Sequence, residues 1–384
     1  MKLLLIVGSA DDTFIYNYAK WLKASLDVDI DVFEFYPSKQ QGYGREYYNN
    51  VYSGKGIGIP YVSNLVDSFI LSHQLSRILS KDNKFYDIIH CHWVMAPVVM
   101  VNKLGNFCKK LVITFWGGEF DKMRICGSNK LYLLKLNSFV KNVDAIVNND
   151  IAKSTLQRRL LKFHGAFYDA SLGSAPLQLL YELMENFTRT DSKRLFGIQP
   201  DKYTVLIGYS GKIIHQHIPI IELLSKYKSY KKKIHLLVPM TRGANVKYVD
   251  RVEKALKEAG FHYTLLRGKF LQDKELAQLR NATDVVLQLS TRDGFSRSVV
   301  ECFCAKSVVI YAEWLNYDNY LKTSGFEGIK VKSLEAGVKT IGTVIDNIDT
   351  YSNIVSRNAE NGKTQNLWSV CIKKWVIAYK DLLK

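Results

Sequence analysis

The chain has 384 residues, of which 47% are hydrophobic and only 7 are proline. This composition excludes a disordered protein, and a chain of this length is expected to form two domains of about 150–200 residues each. The formal net charge of +17 leaves three kinds of partner open, which are nucleic acid, an anionic membrane surface and an anionic small substrate.

Cysteine usage and the N-terminus bear on where the protein resides. None of the 6 cysteines sits in a CxxC pair, which favours free thiols in a reducing cytoplasm. The apolar residues 3–7 predict a buried strand and not a signal peptide, because Asp11 and Asp12 follow closely. No apolar stretch reaches about 18–20 residues, so any membrane association is expected to be peripheral, on the inner face of the cell membrane.

Strands and helices alternate through the N-terminal half. Strands are predicted at 3–7, 30–35, 86–90, 111–115 and 145–148, with helices at 12–26, 64–79 and 151–163. Apolar strands separated by helices are typical of a parallel sheet covered on both faces. Residues 38–62, which are rich in Gly and Tyr, predict an irregular segment that either contacts a ligand or forms a surface loop.

A second alternating series follows residues 171–199, which are expected to cross between domains. Its strands are predicted at 203–208, 234–238, 263–266, 285–289 and 308–311, and its helices at 218–226, 246–259, 273–281 and 298–305. The pattern predicts an α/β protein of two Rossmann-like domains facing a central cleft. The expected domains are 1–185 and 186–365, with a final helix at 366–384 packing back toward the first.

Residues 291–305 read TRDGFSRSVVECFCA, in which a glycine-containing turn joins a strand to a helix starting near Ser296. The free N–H groups and positive dipole of a helix N-terminus suit a diphosphate. Arg292 and Arg297 add positive charge. Asp293 and Glu301 are suited to accept hydrogen bonds from ribose and sugar hydroxyls. An N-cap followed by an ordinary helix would produce the same pattern.

The order acid-Gly-Phe-Ser-x4-Glu resembles the acidic E-x7-E motif of GT-B glycosyltransferases, notably the large retaining family four. Asp293 stands where that family has Glu and is one methylene shorter. The resemblance implies that Glu301 contacts the donor ribose and that Asp293 contacts the donor sugar. It also implies that Phe295 and Ser296 belong to the donor site, and that the two domains have the GT-B architecture.

Residues 205–223 read VLIGYSGKIIHQHIPIIEL and cluster Lys212, His215 and His217, together with Ser210, after a strand, where a diphosphate would lie. Family four has Arg and Lys in this stretch. The departure resembles the bacterial Fuc4NAc transferases of enterobacterial common antigen synthesis. Residues 234–244, IHLLVPMTRGA, resemble that family's strand ending in V-P-M, which implies that Arg242 faces the ligand. Histidines beside a turn are structural about as often as they bind a ligand.

One stretch of the N-terminal half resembles the same transferases, and a second, the D-x-x-H-x-H segment, resembles the N-terminal domains of GT-B enzymes. The WGGE motif ending at Glu119 resembles their W-G-[AG]-[DE], so Glu119 is interpreted either as a general base or as a helix cap. Trp116 either stacks on a sugar or packs in the core. His92, in a D-x-x-H-x-H segment, is assigned to the acceptor side. Gly8, in the turn after the first strand, is counted among the donor-binding candidates.

The sequence therefore predicts a transferase that moves a hexosyl or acetamidosugar group from a UDP, TDP or GDP sugar. The acceptor is expected to be a saccharide, free or linked to polyprenyl diphosphate, in bacterial surface polysaccharide synthesis. No metal motif of the DxD type stands in a convincing place, so neither metal nor cofactor is expected. The E-x7-E resemblance implies retention of anomeric configuration, and the Fuc4NAc transferase resemblance implies inversion.

Three other classes of function were weighed. An inactive GT-B scaffold stays open. A nucleic-acid-binding protein would show aromatic–basic platforms or a reading helix, and no nucleic acid partner is expected. A Rossmann oxidoreductase is disfavoured because the first turn, at 8–11, lacks G-x-G-x-x-G. The lysine-rich run at 226–233 is either a solvated basic surface or a contact with anionic lipid.

Overall fold

The computed structural model describes residues 1–37, 44–56, 63–81, 84–94, 96–101, 104–116, 119, 130–241, 243–268 and 270–384. These residues form two compact units. The first comprises Met1–Gly173 together with Trp368–Lys384, and the second comprises Ser174–Leu367. Each unit is built on its own parallel sheet, as the alternation of apolar strands and helices predicts.

The part of the first unit that the structure describes contains a seven-stranded sheet in the order β3-β2-β1-β4-β5-β6-β7. Its strands are β1 (Lys2–Val7), β2 (Asp29–Glu34), β3 (Asn50–Ser53), β4 (Tyr86–His92), β5 (Cys108–Thr114), β6 (Ala145–Asn148) and β7 (Ala166–Asp169). Its helices include α1 (Thr13–Ser25), α2 (Ser63–Lys81), α3 (Ala96–Met100), α4 (Lys130–Phe139) and α5 (Asp150–Arg159).

The first strand and helix show why this sequence adopts the α/β arrangement. Leu3 and Leu5 of β1, an interior strand between β2 and β4, are 0% exposed, as expected for a parallel sheet that is covered on its faces. The helix α1 begins after Asp12, whose carboxylate accepts from the backbone N–H of Phe14 at 2.9 Å. A stripe of buried side chains, which includes Tyr18, then packs α1 against the unit.

Two predictions for the first unit are wrong in detail. Residues 38–62 are not wholly irregular, because β3 (Asn50–Ser53) extends the sheet at its edge next to β2. A four-residue edge strand with polar ends has too little alternation to be recognised from sequence. The strand predicted at 86–90 continues to His92, which is paired with Thr114 of β5. Residues 38–43 and 57–62 lie outside the described residues.

Across the described residues of the second unit, six strands follow the order β10-β9-β8-β11-β12-β13. They are β8 (Tyr203–Ile207), β9 (Ile234–Met240), β10 (His262–Arg267), β11 (Val285–Gln288), β12 (Val308–Ala312) and β13 (Ile329–Val331). The helices include α6 (Ala175–Asn186), α7 (Arg189–Leu195), α8 (His217–Ser225), α9 (Val246–Ala259), α10 (Asp273–Asn281), α11 (Arg297–Cys304), α12 (Asp318–Ser324), α13 (Leu334–Asp346) and α14 (Ser352–Asn366).

The last helix, α15 (Trp368–Leu382), belongs to the first unit. The indole N–H of Trp375 donates to the carbonyl of Ser171 at 3.0 Å. The hydroxyls of Tyr379 and Tyr18 are 2.6 Å apart, and both side chains are fully buried. The C-terminal helix therefore closes the core of the first unit against α1.

The five cysteines of the described ranges are all buried, and Cys126 lies outside those ranges. Of the helices that the structure describes, none has the length and apolar character needed to cross a membrane.

Candidate functional site

Each sheet has a place where the chain order reverses. In the second unit β8 lies between β9 and β11, and in the first unit β1 lies between β2 and β4. In open parallel sheets, ligands bind outside the carboxyl ends of the strands at such a switch point. Most of the candidate residues follow these strands or a neighbouring one, so the fold places them where a ligand is expected.

The carboxylate of Asp293, in the turn after β11, is held by three hydrogen bonds. The phenols of Tyr209 and Tyr317 donate to its two oxygens, and the backbone N–H of Ser296 donates to Oδ2 at 3.0 Å. Burial, and then the charge of Asp293, raise the pKa of both tyrosines, so both remain protonated donors. Asp293 thereby fixes the turn in which Ser296 is the N-cap residue of α11.

A buried chain of hydrogen bonds runs onward from Asp293. The phenol of Tyr317, which donates to Asp293, accepts from Nε2 of Gln288 at 2.8 Å. The hydroxyl of Ser290 donates to Oε1 of Gln288 at 3.2 Å. Gln288 and Ser290 are each 1% exposed. The end of β11 is thereby tied to the turn that follows it.

The chain continues through His215 to the turn after β8. Nδ1 of His215 lies 2.8 Å from the hydroxyl of Ser290, and Nε2 lies 2.8 Å from the hydroxyl of Ser210. Because the Ser290 hydroxyl already donates to Gln288, Nδ1 must carry the proton, and Nε2 accepts from Ser210. Burial lowers the pKa of His215 to about 4, which agrees with this neutral tautomer. The imidazole of His215 thus links the turn after β8 to the turn after β11.

His217, the first residue of α8, is also neutral and buried. Its Nδ1 lies 3.2 Å from the phenol of Tyr248, while Nε2 has no hydrogen-bond partner within the described part of the chain. Burial lowers the pKa of His217 to about 3. A Cβ atom on Gly208 would lie 2.8 Å from Nε2, and Gly208 has φ of +67°, so only glycine fits there. His217 therefore adds no positive charge to this turn.

Positive charge in the second unit comes from lysine and arginine. Lys212 and Arg292 follow β8 and β11 respectively, and both are exposed. Arg297, in the first turn of α11, donates from Nη1 to the side-chain oxygen of Asn366 at 2.6 Å. Arg242 lies outside the described residues.

Phe295, between Asp293 and α11, has φ of +60°. Its ring stacks on Tyr320 with centroids 5.0 Å apart. A left-handed conformation is an outlier for a bulky residue, and such strain persists only where the surroundings hold it in place. The turn that carries Arg292 and Asp293 is consequently well defined.

Glu301 is 5% exposed and has both carboxylate oxygens bonded. Oε2 accepts from Nε of Arg280 at 3.1 Å, and Oε1 accepts from the hydroxyl of Ser174 at 2.7 Å. Arg280 is 2% exposed, so this is a buried ion pair. Because Glu301 is almost fully buried, a ribose hydroxyl would reach it most readily by replacing the neutral Ser174 hydroxyl at Oε1.

In the first unit, the two candidate acid–base residues are both buried. His92, at the end of β4, is 1% exposed, and neither ring nitrogen has a hydrogen-bond partner among the described residues. Burial lowers its pKa to about 3. Glu119 is 2% exposed, and its Oε1 accepts from the backbone N–H groups of Val94 and Trp116. Glu119 thus ties together the segments that follow β4 and β5.

Gly8 lies at the end of β1, in the first unit, whereas the other described donor-binding candidates lie in the second. Gly117 and Gly118 of the WGGE motif lie outside the described residues.

Sequence reasoning missed the side chains that organise the second unit's turns, namely Tyr209, Gln288, Ser290, Tyr317 and Arg280. One of them carried a signal, because Gln288 is a polar residue at the end of the otherwise apolar strand β11. Tyr317 is 24 positions beyond Asp293. Nothing in the spacing of these residues indicated that they would meet.

Solved structures of glycosyltransferases share this fold. Sucrose-phosphate synthase from Thermosynechococcus elongatus superposes with a TM-score of 0.78 at 13% identity, covering 100% of this chain and 99% of that one. A glycosyltransferase from Rickettsia africae gives 0.71 at 14% identity, covering 100% and 99%. HepE from Anabaena, in complex with UDP and glucose, gives 0.68 at 14% identity, covering 99% and 100%.

The predicted fold class, two parallel-sheet α/β units of the GT-B type, is thereby confirmed. Similarity at this level of identity shows the fold and does not show the activity. No protein-family model and no curated protein matches the sequence.

The burial of His92 leads to a prediction about pH. Between pH 6.5 and about 3, an unfolded chain binds a proton at this position that the folded chain does not. Above pH 6.5, His92 therefore does not reduce the free energy of unfolding. Below pH 6.5, this group lowers the free energy of unfolding by about 1.4 kcal/mol per pH unit. We expect His92→Phe to unfold at higher urea than the wild type, and to lose stability less steeply between pH 6.5 and 4.5. Equal slopes in urea titrations followed by near-UV circular dichroism would contradict this account of His92.

Proposed function

We propose that the chain is a glycosyltransferase that uses a nucleoside-diphosphate sugar as donor. The observation that carries the proposal is the pair of turns at the switch point of the second unit, where Ser210 and Lys212 follow β8 and Arg292 follows β11. Ligands of open parallel sheets bind at this place. The shared fold supports the proposal, since HepE was solved in complex with UDP and glucose.

The exposed cations are suited to the leaving group of this reaction. Cleavage of the donor releases a nucleoside diphosphate whose developing charge must be stabilised. We propose that Lys212 and Arg292 supply that stabilisation together with the N-terminus of α11. His215 and His217 hold the turns in place as neutral groups, since burial lowers the pKa of each to about 4 and about 3. In this proposal the chain's own cations act without a metal ion.

The two acids of the D-x7-E motif have different proposed roles. Glu301 contacts the donor ribose, exchanging the Ser174 hydroxyl for a ribose hydroxyl at Oε1. Asp293 acts as a positioning residue instead of contacting the sugar, because both of its oxygens accept hydrogen bonds from Tyr209, Tyr317 and Ser296. The anomeric configuration of the product, determined by NMR, would distinguish retention from inversion. Inversion would need a base such as Glu119 or His92.

The acceptor is proposed to be a saccharide, free or linked to polyprenyl diphosphate, in bacterial surface polysaccharide synthesis. The lysine-rich run supports action at an anionic membrane surface, since Lys226, Lys228 and Lys232 are exposed. The run precedes β9, so it lies at the amino edge of the second sheet, opposite the carboxyl edge that carries Lys212.

Replacing Lys226, Lys228 and Lys232 with Glu should abolish co-sedimentation with phosphatidylglycerol vesicles. Each lysine near such a surface contributes about 1 kcal/mol, and reversing it adds repulsion. Binding by the wild type should weaken as salt rises. Glu replacements at the exposed Lys20, Lys322 and Lys373 give the matched control. Equal loss of vesicle binding in both triple variants would show that only net charge matters.

Thermal-shift screening tests the proposed activity and narrows the donor. UDP, TDP and GDP sugars are compared with the corresponding nucleoside monophosphates. One diphosphate series should raise the unfolding temperature, and Lys212→Met should reduce that rise without lowering the unfolding temperature of the ligand-free protein, because Lys212 is exposed. Absence of any shift with all three series would count against a nucleotide-sugar enzyme.

A further inference from the structure

A pair of stacked tryptophans stands at the switch point of the first unit. Trp93 follows β4 and Trp116 follows β5, and their rings stack with centroids 5.4 Å apart at 23°. We call them the indole pair. Both are partly exposed, whereas Trp375 and Tyr18 in the core of the same unit are 1% and 0% exposed. The indole pair is therefore partly accessible to a ligand, unlike the aromatic side chains in the core of this unit.

The backbone holds the indole pair in a conformation that packing alone would not select. Trp93 has φ of +72°, an outlier for a bulky side chain. Its ring lies against Gly8, where an added Cβ would be 2.6 Å from Cε3 of Trp93. Glycine at the end of β1 thus leaves room for the indole at the β1/β4 crevice. A strained backbone of this kind persists only where the surroundings hold it in place, and it is common at ligand sites.

One buried carboxylate fixes both segments of the indole pair. Oε1 of Glu119 accepts from the backbone N–H of Val94 at 3.0 Å and from that of Trp116 at 3.2 Å. The backbone N–H of Trp93 donates to the carbonyl of Thr114 at 3.1 Å. Glu119 therefore acts on the indole pair through the backbone, as a positioning residue.

Polar side-chain atoms next to the rings are buried without a hydrogen-bond partner in the described ranges. The indole N–H of Trp116 is buried without a hydrogen-bond partner in the described ranges. His92 packs edge-on against Trp116 at 6.3 Å, and its two nitrogens are likewise unpartnered there. An aromatic face with a few convergent polar groups is the usual composition of a small-ligand site.

The position that would bind a nucleoside in this unit is already filled. In nucleotide-binding α/β units an acid at the end of the second strand binds the ribose. Here Glu34 of β2 accepts from the backbone N–H of Ala10 and from the Ser53 hydroxyl, and it pairs with Arg45 at 3.1 Å. The carboxylate of Glu34 is therefore not available to the ribose of a nucleotide. The indole pair is better suited to a different ligand that has a ring able to stack on it.

We infer that the indole pair, Trp93 and Trp116, is a carbohydrate-stacking platform that binds a pyranose ring of the acceptor. The axial C–H groups of a pyranose carry partial positive charge and pack against the negative face of an indole. The inference rests on the proposed glycosyltransferase function, because it assigns this ring to the acceptor. The inference places a subsite for the acceptor at the carboxyl ends of β4 and β5.

Saturation-transfer NMR on the full chain tests the platform directly. The probes are the methyl β-D-pyranosides of glucose, galactose and N-acetylglucosamine, with mannitol as an acyclic polyol that has hydroxyls but no flat ring face. The wild type should transfer saturation to at least one pyranoside and not to mannitol. Trp93→Gly, which removes the ring and suits the positive φ, should reduce that signal at least fivefold.

Equal signals from mannitol and the pyranosides would overturn the platform, as would an unchanged signal in Trp93→Gly or no signal from any pyranoside. Nucleotide-induced thermal shifts, measured on the same variants, report on the second unit. Trp93→Gly should keep those shifts, and a cooperative urea transition followed by near-UV circular dichroism should show that its first unit is folded. If the pyranoside results contradict the platform while nucleotides still shift the unfolding temperature, only this inference is refuted. If nucleotides do not shift the unfolding temperature of the wild type, the proposed function is refuted.

Glu119→Gln and Glu119→Ala separate positioning from catalysis. Glutamine keeps an acceptor oxygen for the two backbone N–H groups, so the pyranoside signal and most of the turnover should survive. Alanine removes the acceptor, and the signal should fall at least fivefold. A general base would instead lose about 10²–10⁴-fold in kcat in the glutamine variant with an unchanged pyranoside signal. A signal that falls equally in the glutamine and alanine variants would contradict the positioning role of Glu119.

Discussion

Replacing Glu301 with alanine should abolish sugar transfer and destabilise the protein by about 3–5 kcal/mol. The reason for the destabilisation is that Arg280, which is 2% exposed, would lose the carboxylate 3.1 Å away and stay buried with an unpaired charge. The loss of transfer follows from the proposed ribose contact. Transfer is measured with radiolabelled donor and stability by urea unfolding.

A compensated variant separates these two effects. Replacing a buried ion pair with apolar residues of similar volume is often neutral or stabilising. Arg280→Met combined with Glu301→Leu should therefore recover the stability that Glu301→Ala loses. If Glu301 contacts ribose, the double variant should still be inactive and should bind nucleotide at least 10-fold more weakly. Full activity in the stable double variant would show that Glu301 serves only to neutralise Arg280.

Replacing Asp293 with alanine should lower kcat/KM about 100-fold and destabilise the second unit by about 2 kcal/mol or more. Tyr209 and Tyr317 would each lose the acceptor of a hydroxyl that burial keeps protonated, and an unpaired buried donor costs about 1–3 kcal/mol. The turn that carries Arg292 would then lose its anchor. Displacement of a binding group by about 1 Å is enough for a rate loss of this size.

A double-mutant cycle with Tyr317→Phe decides between positioning and sugar contact. Because Tyr317→Phe removes the hydroxyl that Asp293→Ala leaves unpaired, the double variant should be less destabilised than the sum of the two single variants by about 1 kcal/mol or more. A residue that only contacts the sugar would lower turnover without changing stability. If the stability effects are additive and turnover is lost, Asp293 instead contacts the donor sugar, as the E-x7-E resemblance implies.

Much of the fold could be predicted because buried strands appear in the sequence as apolar runs. Leu3–Val7 and Val285–Leu287 are continuous apolar runs, and both lie in buried strands in the interior of their sheets. The helices α9 and α10 have the predicted bounds, since Asn245 and Gln272 cap their first turns. Residues 171–199 were expected only to cross between domains. They form α6 and α7, which pack on α10 within the second unit.

The candidate site was predictable in its location but not in its connections. The strand ends and the turns that follow them can be read from the sequence, and in a parallel sheet their carboxyl ends lie at one edge, where ligands bind. The partners of Asp293 could not be inferred, since Tyr317 reaches it from the segment before α12 and Tyr209 from the turn after β8. No local pattern in the sequence indicates that Arg280 of α10 would form an ion pair with Glu301 of α11. Such contacts depend on how separate helices pack on the sheet.

The central claim is that a nucleoside diphosphate binds at the turns after β8 and β11 in the second unit. Hydrogen–deuterium exchange, measured with and without a saturating concentration of UDP, TDP or GDP, tests this claim most directly. Whichever diphosphate binds should slow exchange in peptides covering 208–217 and 288–298, and should leave the lysine-rich run at 226–233 unchanged. Binding without protection of either turn, or protection confined to the first unit, would contradict the account.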